Sequence, residues 1–137
     1  MNRVTSSLTG TWATLADSML YQPATDRPFA RRLGNGLERM VTLDYDGRIH
    51  TLTSAGVHDA LLDYDSTDTL DLLTDYIVPA LGASFTYDAT DRLKTVSRSG
   101  DAQSFAWDKV GNRTSHSRAG ASNTYASAGN SNRLASI

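Results

Sequence analysis

The sequence predicts an all-β fold, an antiparallel meander of β-hairpins built from a short repeat. Three observations predict it. Aromatic–aspartate pairs recur along the chain at intervals of about twenty residues. Apolar and polar residues alternate around each pair, as they do in a strand with one buried face. Residues typical of turns are abundant, since 14 of the 15 acidic residues are Asp, Ser and Thr together number 31, and Gly numbers ten.

The repeat is carried by an aromatic residue followed by Asp. Successive copies are separated by 19, 23, 20 and 18 residues, a period typical of strand–turn–strand units. The aromatic positions are Tyr45-Asp46, Tyr64-Asp65, Tyr87-Asp88, Trp107-Asp108 and Tyr125, the last without its Asp. Two residues before each Asp-paired aromatic stands an apolar residue, and positions i and i+2 of a strand share one face. These apolar residues are Leu43, Leu62, Phe85 and Phe105.

Each aromatic is followed by a predicted turn and a returning strand. The fourth residue after the aromatic is Asp91 in one clear copy and Gly111 in another, and Gly suits the end of a turn because it tolerates positive φ. Residues 93–97 and 113–117 then read as returning strands. Further glycine-containing turns are expected at 34–36, 99–101 and 119–121.

Two stretches fit the repeat less well. Residues 1–30 are predicted to be an irregular lead-in with patches of strand, because Pro23 and Pro28 interrupt regular pairing. Residues 31–137 are predicted to be the array of about five repeats. The leucine-rich segment 69–75 fits a helix or a strand, and we predict a strand because it occupies the returning-strand position after Tyr64-Asp65.

These residues resemble the YD repeat of bacterial RHS (rearrangement hot spot) proteins. The clearest matches are Tyr87-Asp88-Ala89-Thr90-Asp91-Arg92 and Trp107-Asp108-Lys109-Val110-Gly111-Asn112-Arg113. The segments 33–37 and 131–137 resemble the same family, and the resemblance extends from about residue 19 to the end. One such motif is a weak signal, whereas several in register at one spacing are a strong one.

The resemblance implies a function as wall material. In this family, YD repeats build a β-sheet ribbon that spirals into a hollow shell around a C-terminal toxin domain, as in type VI secretion effectors and insecticidal toxin complexes. The implied partners are the remaining repeats of such a shell or a neighbouring toxin domain. The core segment with self-cleavage and the toxin domain are not recognisable in the sequence, so neither activity is transferred to any residue.

Three copies depart from the family pattern. Asp46 is followed at once by Gly47-Arg48, which predicts a shorter turn. Asp68 stands where Gly is usual, at little cost if that position is left-handed. The last copy has Ala126 after Tyr125.

The sequence argues against catalysis, cofactors and metal. Asp63, Asp65 and Asp68 invite comparison with an EF-hand loop, but the required Gly and Glu are missing. His50, His58 and His116 share no ligand spacing, and no Gly-x-Ser-x-Gly motif is present. The chain has no cysteine, and its net charge of −2 does not favour nucleic acid.

Arginines recur near the start of the returning strands, and two interpretations fit them. They are Arg48, Arg92, Arg113 and Arg133. Each can pair with a turn Asp as a structural contact. Alternatively, they line a sugar-binding strip with Tyr and Trp as stacking platforms, which makes a carbohydrate- or cell-surface-binding module the second functional hypothesis.

The expected setting is a larger secreted or cell-surface bacterial protein. The first residues lack a signal peptide and no stretch is apolar enough for a membrane span. An isolated section of a sheet exposes edge strands, so the chain is expected to self-associate.

Overall fold

The fold is all-β and confirms the predicted meander. The computed structural model describes residues 3–7, 12–129 and 131–137. Twelve antiparallel strands follow one another in chain order in one sheet, and two short strands form a second sheet. The strands are β1 Val4–Ser7, β2 Trp12–Tyr21, β3 Pro28–Leu33, β4 Glu38–Leu43, β5 Ile49–Ser54, β6 His58–Tyr64, β7 Leu70–Asp75, β8 Ala83–Tyr87, β9 Leu93–Arg98, β10 Asp101–Trp107, β11 Arg113–Arg118, β12 Ala121–Thr124, β13 Ala126–Ser127 and β14 Leu134–Ser136. One 3-10 turn, Pro79–Leu81, lies between β7 and β8.

The chain divides into two compact units. Unit 1 comprises Met1–Leu62 and Thr74–Pro79, and unit 2 comprises Asp63–Leu73 and Ala80–Ile137. In unit 1, the Tyr76 amide donates to the Asp59 carbonyl at 2.8 Å, which holds the short 74–79 segment to β6. The division therefore groups residues by contact and does not follow the order of the strands.

Burial alternates along strands β4, β8 and β10, as the period-two pattern predicts. In β10, every second residue from Asp101 to Trp107 is partly buried and the residues between them are exposed. The buried residues in the described part of the chain are small or β-branched: Ala16, Ser54 and Ala60 in unit 1, and Ala83 and Val96 in unit 2. No large side chain in that part of the chain is fully buried.

The opposite face carries small hydroxyl side chains. Thr42 and Thr51 form a hydroxyl–hydroxyl hydrogen bond of 2.6 Å in unit 1, and Thr86 and Thr95 form the same bond at the same length in unit 2. Both are directly opposed cross-strand pairs, the arrangement in which Thr–Thr contacts stabilise a sheet.

The N-terminal region is more regular than the lead-in predicted for residues 1–30. Strand β2 has ten residues and pairs with β3, which runs through the predicted boundary. Pro28 opens β3 opposite Tyr21, and the first position of a strand accepts Pro. The pairing contains register shifts beside Ser18, which has a φ of 50°. A bulge interrupts the alternation in sequence and so conceals the strand.

Gly34 is required by the approach of two backbones in unit 1. Its amide donates to the Leu15 carbonyl at 2.8 Å. A Cβ atom at this position would lie 2.0 Å from the Thr14 carbonyl oxygen, a distance that only displacement of the backbone would relieve.

The leucine-rich segment is a strand, as predicted. Strand β7 spans Leu70–Asp75, and its residues Leu72 and Leu73 pair with Ser84 and Ala83 of β8. The pairing partner, and not the leucine spacing, selects the extended conformation.

Candidate functional site

The turn at Asp88 shows how the repeat is constructed. Two backbone bonds close it, from the Asp88 amide to the Arg92 carbonyl at 2.9 Å and from the Asp91 amide to the Asp88 carbonyl at 3.0 Å. The carboxylate fills the turn, since Oδ1 accepts the Thr90 and Arg92 amides at 2.8 and 3.1 Å. Oδ2 accepts the Arg92 Nε at 2.7 Å. Asp91 has a left-handed φ of 58°, which the predicted turn exit requires.

The turns at Asp65 and Asp108 have the same construction. Asp65 Oδ1 accepts the amides of Thr67 and Thr69 at 2.8 and 3.1 Å, and Asp108 Oδ1 accepts the amide of Asn112 at 2.8 Å. The side chain four residues after Asp donates to Oδ2 in both, from the Thr69 hydroxyl at 2.7 Å and the Asn112 amide at 2.8 Å. The residue four positions after the turn Asp therefore varies between Arg, Thr and Asn, but its side chain always donates a hydrogen bond to Oδ2.

These hydrogen bonds keep the turn carboxylates ionised. The Arg92 side chain holds the pKa of Asp88 far below its usual range. The hydroxyls of Thr69 and Thr67 lower the pKa of Asp65 to about 2. The Asn112 side chain lowers the pKa of Asp108. A charged acceptor makes stronger hydrogen bonds to backbone amides than a neutral one, so ionisation favours the closed turn.

Aromatic side chains connect each copy to the one before it. The Tyr87 hydroxyl donates to the Leu70 carbonyl at 2.9 Å, and the Trp107 indole Nε1 donates to the Leu93 carbonyl at 2.8 Å. In both cases the accepting carbonyl belongs to the residue that opens the returning strand of the preceding copy. Burial raises the pKa of the Tyr87 hydroxyl and keeps it a donor. We call this series of turns and aromatic links in unit 2 the turn ladder.

Polar side chains add a second link from turn to turn. The Arg92 Nη1 donates to the Asp108 carbonyl at 2.6 Å, while its Nη2 lies 2.6 Å from Asp88 Oδ2. The Asn112 Nδ2 donates to Asn132 Oδ1 at 3.2 Å. Arg92 thus binds its own carboxylate and the next turn, and this contact extends the ion pair expected from sequence.

The first predicted copy is shifted by two residues. Asp44, and not Asp46, fills the turn in unit 1: its Oδ1 accepts the Asp46 and Arg48 amides, each at 2.9 Å, and its Oδ2 accepts Arg48 Nε at 2.7 Å. Burial raises the pKa of Asp44, but the hydrogen bonds from Arg48 and the Asp46 amide together lower it by more. The net shift of this pKa is therefore downward. Tyr45 is fully exposed. Gly47 has a φ of 79° at the fourth position, so the turn has ordinary length.

Sequence reasoning missed a copy in unit 1. The Gln22 amide donates to the Arg27 carbonyl at 2.9 Å, and the Asp26 amide donates to the Gln22 carbonyl at 2.9 Å. Gln22 Oε1 accepts the Thr25 hydroxyl at 2.9 Å, so the amide oxygen stands in for the carboxylate. The preceding residue is Tyr21, which lies about one repeat before Leu43. A repeat pattern that accepts Gln at the Asp position would identify this copy from the sequence.

The last copy also lies later than the tyrosine that suggested it. The Ala128 amide donates to the Arg133 carbonyl and the Ser131 amide to the Ala128 carbonyl, both at 2.9 Å. Ala128 therefore occupies the Asp position. Tyr125 instead lies beneath the Arg113 guanidinium, which is 4.4 Å from the ring centroid. Gly111 has the positive φ, 93°, that its predicted position requires.

The closing backbone bond differs in span between these turns. It joins residues four apart in the four turns that begin at Asp44, Asp65, Asp88 and Asp108, and residues five apart in the turns that begin at Gln22 and Ala128. The carboxylate accepts amides at i+2 and i+4, an Asx-type geometry that stabilises the shorter turn. It is not required for that length, because the turn from Leu33 to Leu37 also closes over four residues.

The histidines lie apart from one another. The Nδ1 of His50 is 3.2 Å from the Leu62 carbonyl in unit 1. In unit 2, His116 stacks on Phe105 with centroids 4.8 Å apart and its Nε2 lies 3.1 Å from Gln103 Oε1. Within the described residues, no three His, Cys, Asp or Glu side chains are grouped as metal ligands. No helix in that part of the chain is long and apolar enough to span a membrane.

The fold matches those of large toxin assemblies. The crystal structure of TcdB2-TccC3-Cdc42 matches with a TM-score of 0.82 at 15% identity, over 97% of this chain and 8% of that chain. TcdB2-TccC3 without its hypervariable C-terminal region matches with a TM-score of 0.80 at 15% identity, again over 97% and 8%. The Photorhabdus luminescens Tc holotoxin pore with a TccC3 mutation matches with a TM-score of 0.71 at 12% identity, over 84% and 7%.

These structures contain RHS/YD-repeat shells, which confirms the sequence resemblance as a likeness of fold. The chain spans less than a tenth of the length of the chains it matches, because it covers 8% or less of each. No protein-family model matches the chain, and no curated protein matches it by sequence.

Proposed function

We propose that this chain is a non-catalytic structural segment of an RHS/YD-repeat shell that encloses a C-terminal toxin domain in a bacterial polymorphic toxin. Its partners are the neighbouring repeats of the shell and the enclosed domain. The whole protein is secreted or displayed on the cell surface, and the isolated chain self-associates.

The turn ladder is the observation that carries this proposal. Each aromatic residue of the ladder donates a hydrogen bond to a backbone carbonyl of the preceding copy. Tyr87 donates to Leu70, and Trp107 donates to Leu93. Such contacts join neighbours only, so copies can be added without a change of design. The likeness of fold to much longer chains, of which this chain covers 8% and which contain RHS/YD-repeat shells, supports the same role.

The ladder also weighs against the carbohydrate-binding alternative. A sugar-stacking platform keeps a ring face and its polar group available to the ligand. The indole N–H of Trp107 is committed to the Leu93 carbonyl, and the Tyr87 hydroxyl is committed to the Leu70 carbonyl. No contact in the described residues specifically favours a sugar site.

The extent of the reading frame that encodes this chain tests the proposal. Mapping the transcript and the mature product should show further aromatic–Asp repeats of about twenty residues and a C-terminal region without them. A stable 137-residue product that is monomeric at high concentration and unfolds cooperatively would contradict the proposal.

Glycan-array binding separates the structural function from the alternative. The wild-type chain should show no saturable binding to any glycan. Saturable binding that Trp107→Ala abolishes, while exposed Tyr45→Ala leaves it intact, would overturn the purely structural function.

A further inference from the structure

We propose that strands β3, β4 and β5 of unit 1 form a binding site for an anionic amphiphile, a molecule with a carboxylate or phosphate group at one end of a linear apolar body. The proposal concerns residues outside the turn ladder. It is independent of whether the chain belongs to a shell.

The first observation is a pair of arginines without a counter-charge. Arg31 of β3 and Arg39 of β4 are directly opposite in the antiparallel pairing. Like charges in this position destabilise a sheet. Within the described part of the chain, neither arginine takes part in an ion pair. The next pair in the same register, Arg32 and Glu38, is opposite in charge, so the like-charged pair is not a general property of this hairpin.

The second observation is an apolar groove that begins at these arginines. A cavity of about 220 Å³, open to solvent, is lined by both arginines together with Phe29, Val41 and Leu52. Phe29 lies two residues before Arg31, and Val41 lies two residues after Arg39. Side chains two apart in a strand share a face, so the apolar floor and the two cations lie on one side of the sheet.

The groove continues away from the arginines. A second open cavity of about 260 Å³ shares Phe29 and Val41 with the first and extends to Leu43 and Gly47, with Gln22 and Arg27 also in its lining. From Arg31 back to Pro28 the strand advances about 10 Å, at roughly 3.3 Å per residue. The floor therefore suits an extended chain of about ten carbons, with its charged end at Arg31 and Arg39.

Charge and apolar surface together define the ligand class. Guanidinium groups bind carboxylate and phosphate through paired hydrogen bonds, and two of them side by side attract one anion from both sides. An apolar neighbour reduces the screening of that attraction by water. A ligand with only the charge or only the apolar body would use half of the site.

Calorimetric titration of the full chain with four matched probes tests the site. Decanoate and decyl phosphate below their micellar concentrations should each bind with one-to-one stoichiometry. Decanol and decyltrimethylammonium, which have the same apolar body, should bind at least about tenfold more weakly. Equal affinity for all four probes would overturn the proposal. So would binding to anionic phosphatidylglycerol vesicles without binding to monomeric decanoate.

Two substitutions separate the site from general stability. Arg39→Glu places a carboxylate opposite Arg31, so it should raise the thermal midpoint while it weakens decanoate binding by about tenfold or more. Arg31→Gln should weaken binding in the same direction without the new ion pair. The control is Arg32→Gln, which should change the affinity by less than about twofold. Unchanged affinity in the first two variants, or an equal loss in the control, would refute the site.

Discussion

Two turns of unit 2 close in the same way onto an arginine but differ in their first residue and in their length. The turn that starts at Asp88 closes onto Arg92, and the turn that starts at Ala128 closes onto Arg133. Both have a closing bond of 2.9 Å and a second backbone bond to the carbonyl of the first residue. The backbone can therefore make the turn without the carboxylate. What the carboxylate adds is an acceptor for two backbone amides of the turn and for the side chain of Arg92.

The comparison also shows which contacts disappear with the Asp. At the first turn, the carboxylate accepts amides at two positions and the Arg92 side chain, which in turn reaches the Asp108 carbonyl. At the last turn, the Ser131 hydroxyl accepts the Arg133 amide at 3.3 Å. The Asp therefore organises both its own turn and the link to the next copy.

The largest expected effect comes from breaking the aromatic link that leads to the Asp88 copy. Trp107→Ala removes a half-buried ring and the bond to the Leu93 carbonyl, and it should lower the free energy of unfolding by about 3 kcal/mol. Trp107→Phe keeps most of the ring and should cost about 1 kcal/mol for the lost hydrogen bond. Chemical denaturation measures both. Equal losses in the two variants would contradict a contribution from the ring surface that Phe retains and would assign the whole effect to the hydrogen bond.

Acid should next weaken the Asp turns and spare the Ala128 turn. The folded-state pKa of Asp65 is about 2, below its ordinary 3.8, and the pKa values of Asp88 and Asp108 are also lowered. A lowered folded-state pKa contributes stability that is present above the ordinary value and is lost as the pH falls through the folded value. The thermal midpoint should therefore fall between about pH 4 and pH 2.

A carboxylate variant checks the origin of that fall. Asp65→Asn should have a lower midpoint at neutral pH and a flatter dependence below pH 4, because the titrating group is gone. A wild-type midpoint that stays constant over this interval would contradict a role for ionised Asp in the turns.

Asp88→Ala should make its turn behave like the one at Ala128. The Thr90 and Arg92 amides lose their carboxylate acceptor, so their hydrogen exchange should accelerate, by roughly tenfold. The control is Asp91→Asn, which removes a negative charge from the same turn, keeps a residue that tolerates the left-handed φ of 58°, and leaves the Asp88 acceptor in place. Exchange rates that rise equally in the two variants would mean that charge alone, and not the turn geometry, controls these amides.

The sequence predicted the fold well because each strand pair obeys local rules. Alternation identified β10, and the glycine and aspartate positions identified the left-handed turn residues Asp68, Asp91 and Gly111. These signals lie within a few residues of one another, so no tertiary information is needed to see them. The N-terminal strand β2 was hidden because a bulge near Ser18 breaks the period of two.

The register of the end copies could not be predicted from aromatic residues alone. The turn is built by the Asp carboxylate and the backbone, so the aromatic position tolerates Leu43, and the Asp position tolerates Gln22 and Ala128. The aromatic–Asp pattern therefore placed the first copy at Tyr45-Asp46, although Asp44 occupies the Asp position. It placed the last copy at Tyr125, although Ala128 occupies that position. The links of the turn ladder depend on which carbonyl a ring reaches, which only the pairing of strands determines.

The smallest expected effects test that register in unit 1. Tyr45 forms an aromatic–Asp pair in sequence but is fully exposed in the structure, so Tyr45→Ala should change the free energy of unfolding by less than about 0.5 kcal/mol. Tyr87→Phe, at a true aromatic position, should cost about 1 kcal/mol because the hydroxyl bond to Leu70 is lost. Asp44→Ala should lower the thermal midpoint more than Asp46→Ala does, because the Asp44 carboxylate accepts two backbone amides of the turn. If Tyr45 proved as sensitive as Tyr87, the register would return to the aromatic–Asp pair at Tyr45-Asp46.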